Sequence, residues 1–335
     1  MSTDTIRGSL YAQLARQVKA AGLLDRRPVY YMTKISVTAA AFAGLWAIVV
    51  LIGPSWWSLA VAAVMAIVST QLAFIAHDAG HKQIFQGRRG NDTVGLLIAD
   101  LAVGLSYGWW LDKHNRHHAH PNQEGHDPDI EAGVFVFVNR DEQQRGRVAR
   151  FWFGLQAWLF LPMLLLEGLN LRVASGRALA GRQPMRHRRL ELVLFGTHLV
   201  AYTGALFVFL TPGQAIAFIA VHQGLFGLYM GCSFAPNHKG MHVLTADEEM
   251  DFLHRQVLTS RNVTGGPVVD LALGGLNYQI EHHLFPSMPR PTLGRAQPLI
   301  QRFCEENGVS YTQTGLFDSY RQALTHLDSA GRSAT

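Results

Sequence analysis

The sequence predicts an all-α integral membrane protein: four spanning helices in two hairpins, with a cytoplasmic helical cap that holds a di-metal site. Three observations predict it. Hydrophobic residues make up 48% of the 335 residues and charged residues only 16%, against roughly 25% charged in soluble domains. The apolar residues collect in long runs, as in segments that cross a bilayer. Between the runs stand three histidine clusters: His77-Asp-Ala-Gly-His81, His114-Asn-Arg-His117-His118 and Gln279-Ile-Glu-His282-His283.

The first hairpin is expected from the runs 35–52 and 56–76, broken by Gly53-Pro54-Ser55, with Trp56 and Trp57 placed where interfacial aromatics belong. The second is expected from 192–210 and 215–235, broken by Thr211-Pro212-Gly213. All 29 Lys and Arg lie outside these four runs, and neither turn holds one. By the positive-inside rule every polar region is then cytoplasmic and both turns are external. Two further stretches are apolar but interrupted, 94–110 by Asp100 and 151–166 by Gln156 and Pro162. A single crossing by either would strand a histidine cluster on the far side, so both are expected to be interfacial or re-entrant.

The whole chain, 1–335, reads as one domain without internal repeats. Residues 287–328 mix charge with helical apolar spacing and read as cap, and Ser329 to Thr335 as a frayed end. The net charge of +5 comes from cations that flank apolar segments. Membrane lipids with anionic headgroups are therefore the expected partner, and nucleic acid is not. Cys232 and Cys304 form no disulfide framework or CxxC pair, and Met1 to Arg27 lacks the apolar core of a signal peptide. Together these features predict a cell inner membrane location, with the histidine clusters and both termini facing the cytoplasm.

His77 and His81 stand four apart, so on a helix they share a face. Zinc proteases use that spacing with a Glu after the first His, where this chain has Asp78. His114, His117 and His118 again converge on one helical face. Such imidazole density has no packing rationale, because the rings would repel if protonated together. His282 and His283 repeat the pattern with Gln279 in the place of the first histidine. His238 and His242 follow the last spanning run and are further candidate ligands. His120 and His126 lie among turn residues and read as non-ligands. His198 and His222 read as helix-packing groups, and His187 as facing lipid headgroups. The clusters offer more imidazole than one tetrahedral zinc can use. Imidazole suits Zn, Cu, Fe and Ni, and a pair of redox ions with room for oxygen favours two Fe ions.

With these motifs the chain resembles the membrane fatty-acid desaturase family from about residue 30 to 310. The resemblance rests on His77-Asp78-Ala79-Gly80-His81, on His114 through Asn122, and on Asn277-Tyr278-Gln279-Ile280-Glu281-His282-His283-Leu284-Phe285-Pro286. It implies four spanning helices, a cytoplasmic cap, and two irons held by His77, His81, His114, His117, His118, His282 and His283. His238 or His242 would supply a further ligand. It also implies O2-dependent removal of two hydrogens from a long fatty acyl chain, carried as acyl-CoA or acyl-lipid. The Gln279 form of the third box is similar to that of front-end desaturases, many of which carry a fused cytochrome b5. The first 30 residues are too short for that domain and hold no histidine. No dinucleotide fingerprint or cysteine cluster appears either. Electrons are therefore expected from a separate donor, such as ferredoxin or a flavoprotein reductase. Trp109, Trp110, Phe226 and Tyr229 are candidate substrate-channel residues, and Gln279, Asp127, Asp129 and Asn262 candidate supports for the ligands. The competing readings are a di-iron hydroxylase of an acyl, sphingoid, alkane or carotenoid substrate, a membrane metal transporter, and a membrane metalloprotease.

Overall fold

The computed structural model describes residues 9–131, 133–138 and 146–333. It places helices α1 (Leu10–Ala20), α2 (Pro28–Ile52), α3 (Ser58–Gly80), α4 (Arg88–Leu96) and α5 (Tyr107–Ala119) in the first part of the chain. A π-helical stretch, Leu97–Val103, joins the last two. Then come α6 (Arg147–Gly154), α7 (Gln156–Leu164), α8 (Glu167–Ala180), α9 (Arg188–Phe209) and α10 (Pro212–His238). The remainder holds α11 (Phe252–Leu258), β1 (Asn262–Thr264), α12 (Gly266–Ala272), α13 (Gln279–Leu284), α14 (Arg290–Glu306), β2 (Gln313–Gly315) and α15 (Leu316–Ser333).

Four helices, α2, α3, α9 and α10, are long and apolar enough to cross a membrane. Each begins or ends beyond its apolar run. Hydropathy marks only the part that suits hydrocarbon, whereas backbone hydrogen bonding carries the helix on past it. Local chemistry sets the ends. Pro28 and Pro212 stand at helix starts, where the missing N–H costs nothing. Thr211 and Gln214 form a capping box at the start of α10. Gly53, at φ 60°, ends α2. The extra turns matter, because the last turn of α3 carries His77 and α10 runs on to His238.

Neither interrupted stretch forms a straight helix. The segment through 94–110 bends by 113° between the π-helical stretch and α5, and the one through 151–166 continues into a 74° bend between α7 and α8. Gly104 makes the first bend at φ 78°. A Cβ there would lie 2.3 Å from the His198 ring, so only glycine fits. His198 in turn donates from Nδ1 to the Leu101 carbonyl at 3.0 Å, while the Arg172 guanidinium donates to the Val103 carbonyl at 2.6 Å. His222 lies 2.8 Å from the Tyr202 hydroxyl and 3.2 Å from that of Ser69. Both histidines thus join helices, as expected of them.

Two of the hydrophobic cores are built from different sets of helices. Leu45, Val49, Met65, Leu206 and Phe218 pack together among the four long helices. Leu14, Val18, Leu253, Leu284, Ile300 and Phe303 pack together among the short helices α1, α11, α13 and α14. One finding adds to the sequence reading and another differs from it. The helical fold also holds one short strand pair, β1 with β2 in parallel, Asn262 opposite Gln313. The end of the chain does not fray from Ser329. α15 continues to Ser333, since Ala330 and Gly331 are buried. Residues 334–335 and 1–8 lie outside the described residues, and with them part of the stretches read as a frayed end and as lacking a leader.

Candidate metal centre

The three histidine clusters meet. α3 delivers His77 in its last turn and His81 at its C-cap. α5 delivers His114, His117 and His118 from one face, one turn apart. The short α13 delivers His282 and His283, and α10 ends on His238. The one ligand atom offered by each of His77, His81, His114 and His282 lies within 4.8 Å of those of the others, and the same holds among His117, His238 and His283. His118 sits between the groups. Its Nε2 is 3.0 Å from His114 Nε2, and its ring stacks on His283 at 4.2 Å. His81 and His114 also bring their Nε2 atoms to 2.9 Å.

This arrangement suits metal ions and little else. His77 Nε2, His118 Nδ1, His283 Nε2 and both ring nitrogens of His282 are buried without a hydrogen-bond partner. Each such atom costs roughly 1–3 kcal/mol if nothing meets it. Bound ions would meet these lone pairs. Burial, reinforced by the neighbouring imidazoles, holds His114, His118, His282 and His283 well below the ordinary imidazole range. They are therefore neutral near pH 7, the form that binds metal.

A second layer of groups aims the rings. His117 Nδ1 donates to the Asp127 carboxylate, 3.0 Å from each oxygen. Asp127 also accepts from the backbone N–H groups of Asn122 and Asp129. Burial opposes charge on both partners, yet their attraction prevails, raising the His117 pKa and lowering that of Asp127. His238 Nδ1 donates to the Thr259 carbonyl at 3.0 Å, and His283 Nδ1 to Gln256 Oε1 at 2.9 Å. Each bond leaves Nε2 as the lone pair for an ion. Behind His77, Asp78 pairs with Arg290 at 2.7 Å.

Gln279 comes into the centre through its amide, with Nε2 2.9 Å from His238 Nε2. Among the described residues, the Asn262 side chain makes no hydrogen bond to a histidine. It donates to Glu281 at 2.6 Å and accepts from the Ile280 N–H, so it shapes α13 from behind. Burial pushes the Glu281 carboxyl up to about 7 against those hydrogen bonds. His242 is not brought in. Gly240, at φ 84°, turns the chain away after α10. The exposed His242 ring then faces Glu248 at 3.5 Å.

A cavity of about 240 Å³ opens beside the centre, with His114, His117, His238, His282 and Gln279 in its wall. Trp109 and Trp110 line it, together with Leu105, Phe160, Leu164, Leu171, Met230 and Phe234. Phe226 and Tyr229, expected there, are elsewhere. Phe226 is fully buried, 5.6 Å from the Arg172 guanidinium and a turn deeper in α10 than Met230. Tyr229 is one residue from Met230, about 100° round the helix. It donates instead to the Ala272 carbonyl at 2.7 Å. Sequence reading missed Thr259, Gln256 and Arg290. Nothing in their local pattern marks them, because their partners lie 21 to 212 residues away.

Asp127→Asn is expected to lower metal affinity about 10–100-fold while the protein stays folded, the usual effect of losing a carboxylate behind a ligating histidine. Metal titration by competition with a chelator measures it. Wild-type affinity in the variant would show that this carboxylate does not aim the ring.

Long apolar helices and a buried polyhistidine centre, opening onto an apolar cavity, define a membrane metalloprotein suited to work on a greasy molecule. More particularly, the chain belongs to the fatty acid desaturase family, whose model matches residues 54–315. It is 30% identical to an acyl-lipid (9-3)-desaturase of Physcomitrium patens, over 93% of this chain and 61% of that protein. It is 29% identical to a Delta(6)-fatty-acid desaturase of Caenorhabditis elegans, over 95% of this chain and 74% of the relative. A Delta 8-(E)-sphingolipid desaturase of Emericella nidulans is 30% identical, with 95% of this chain and 61% of the relative covered. The chain thus spans less than two thirds of the first and third of these relatives.

Proposed function

We propose that this protein catalyses O2-dependent desaturation of a long-chain fatty acyl group, carried as acyl-CoA or acyl-lipid, at two irons. The observation that carries the reading is the contact between the histidine centre and the apolar cavity. His77, His81, His114 and His282 would hold one ion, and His117, His238 and His283 the other, with His118 between them. Two irons supply the oxygen chemistry that removes hydrogen from an unactivated CH2. The protein does the rest. Trp109, Trp110 and the apolar wall hold the chain and exclude water. Asp127 and Thr259 fix the His117 and His238 rings that face it, and Gln256 fixes the His283 ring.

In this reading residues 1–335 act as one domain. α2 with α3 and α9 with α10 form two spanning hairpins. The bent pairs that include α5 and α7 re-enter or lie at the interface. The short helices form a cytoplasmic cap at a cell inner membrane. The cation-free turns at 53–55 and 211–213 support this orientation. Electrons come from a separate carrier, such as ferredoxin or a flavoprotein reductase, which docks on the basic cytoplasmic face.

The test is lipid analysis of cells expressing the chain, followed by reconstitution of purified protein with acyl substrate, O2 and a ferredoxin system. An olefinic product that vanishes in His117→Ala is expected. A hydroxylated product would move the assignment to a hydroxylase, and no product with either acyl carrier would overturn it.

A further inference from the structure

Four charged side chains, Lys113, Asp129, Glu167 and Lys239, line the cavity together with the histidines. Lys113 is neutralised there, its ammonium 2.6 Å from Asp129 Oδ1. Lys239 differs. Among the described residues its ammonium donates to one acceptor, the Asp129 carbonyl at 2.9 Å, and it rests 3.9 Å above the Phe137 ring. An ammonium has three donors, so Lys239 keeps N–H groups free beside the cavity, one residue after His238. Much of the remaining wall is apolar. Leu105, Trp110, Met230 and Phe234 line both this cavity and a second small apolar pocket that His77 also lines. Room for hydrocarbon and a hydrogen-bond donor thus share one cavity wall with the histidines.

We infer that Lys239 donates a hydrogen bond to the acyl carbonyl oxygen of the substrate, and so registers the chain with its carbonyl end at the metal centre. An ester of a lipid and a thioester of CoA both present that oxygen, so the anchor serves either carrier. The inference rests on the acyl-desaturase reading and adds what that reading lacks, the end from which the double bond is counted. With the carbonyl held by a donor one residue after His238, the bond position is counted from the carbonyl end, whatever the length of the tail.

The experiment uses the purified, metal-loaded protein in nanodiscs and quenching of tryptophan fluorescence. One arm compares stearoyl-CoA with its thioether analogue, which lacks the carbonyl. The other compares a diacyl phosphatidylcholine with its diether analogue. In one arm the carbonyl compound is expected to bind about tenfold tighter, the effect of one hydrogen bond from a charged donor. That arm identifies the carrier. The preference should vanish in Lys239→Met and persist in Lys239→Arg, at unchanged metal content. In turnover, Lys239→Met should raise KM and spread the double bond over neighbouring carbons, while Lys239→Arg keeps one position. If wild type binds both members of each pair equally, or Lys239→Met retains the preference and a single bond position, the anchor is refuted. Wild-type protein that binds neither carrier would instead bring down the acyl-desaturase reading beneath it.

Discussion

His282→Ala is expected to cut desaturation below about a thousandth of wild type, which requires the loss of only about 4 kcal/mol of barrier lowering. The reason is positional. The His282 ring lies 4.8 Å from each of the His77, His81 and His118 rings, and both its nitrogens are buried without a partner. Bound metal should fall by half or more, because the first group loses one of its four ligands. Removing an imidazole that no protein group hydrogen-bonds costs little packing, so the variant should still purify as a folded protein. Elemental analysis beside size-exclusion chromatography separates the outcomes. A folded variant with full metal content and activity would remove His282 from the ligand set.

Arg290→Met is expected to destabilise the protein by about 3–5 kcal/mol, since it strands the Asp78 carboxylate, buried and unpaired. The guanidinium lies 2.7 Å from Asp78 Oδ2 and donates to the Phe74 carbonyl at 2.6 Å. Its backbone N–H lies 3.1 Å from Gln83 Oε1 and from the Tyr31 hydroxyl. Gln83 also donates to the Pro286 carbonyl at 2.8 Å. This knot ties α2 and α3 to the segment that follows His282 and His283, so it sets the distance between the first and third histidine clusters. Thermal inactivation followed by metal release measures the effect. The double variant Asp78→Asn with Arg290→Met should recover part of the loss, because it removes the stranded charge. A single variant within about 2 °C of wild type would show that the pair contributes almost nothing.

Much of this protein is legible in its sequence. Bilayer thickness demands long apolar runs, so the four helices are visible as composition, and the chemistry of Pro212, Thr211 and Gly53 marks where some of them start and stop. The spacing of His114, His117 and His118 already places three ligands on one face, because helical periodicity is local. Partners further apart were settled by the tertiary structure alone. The sequence could not divide the histidines into two groups, since His282 joins His77 and His81 across some 200 residues, while its neighbour His283 joins His117 and His238. Nor could it choose between His238 and His242. That depended on Gly240, whose left-handed turn sends the second ring to Glu248. Phe226 and Tyr229 were plausible cavity residues on an apolar helix, but which face of α10 meets the cavity depends on where α5, α7 and α8 pack. Local spacing determines which residues can act together on one element. The packing of elements distant in sequence determines which of them meet.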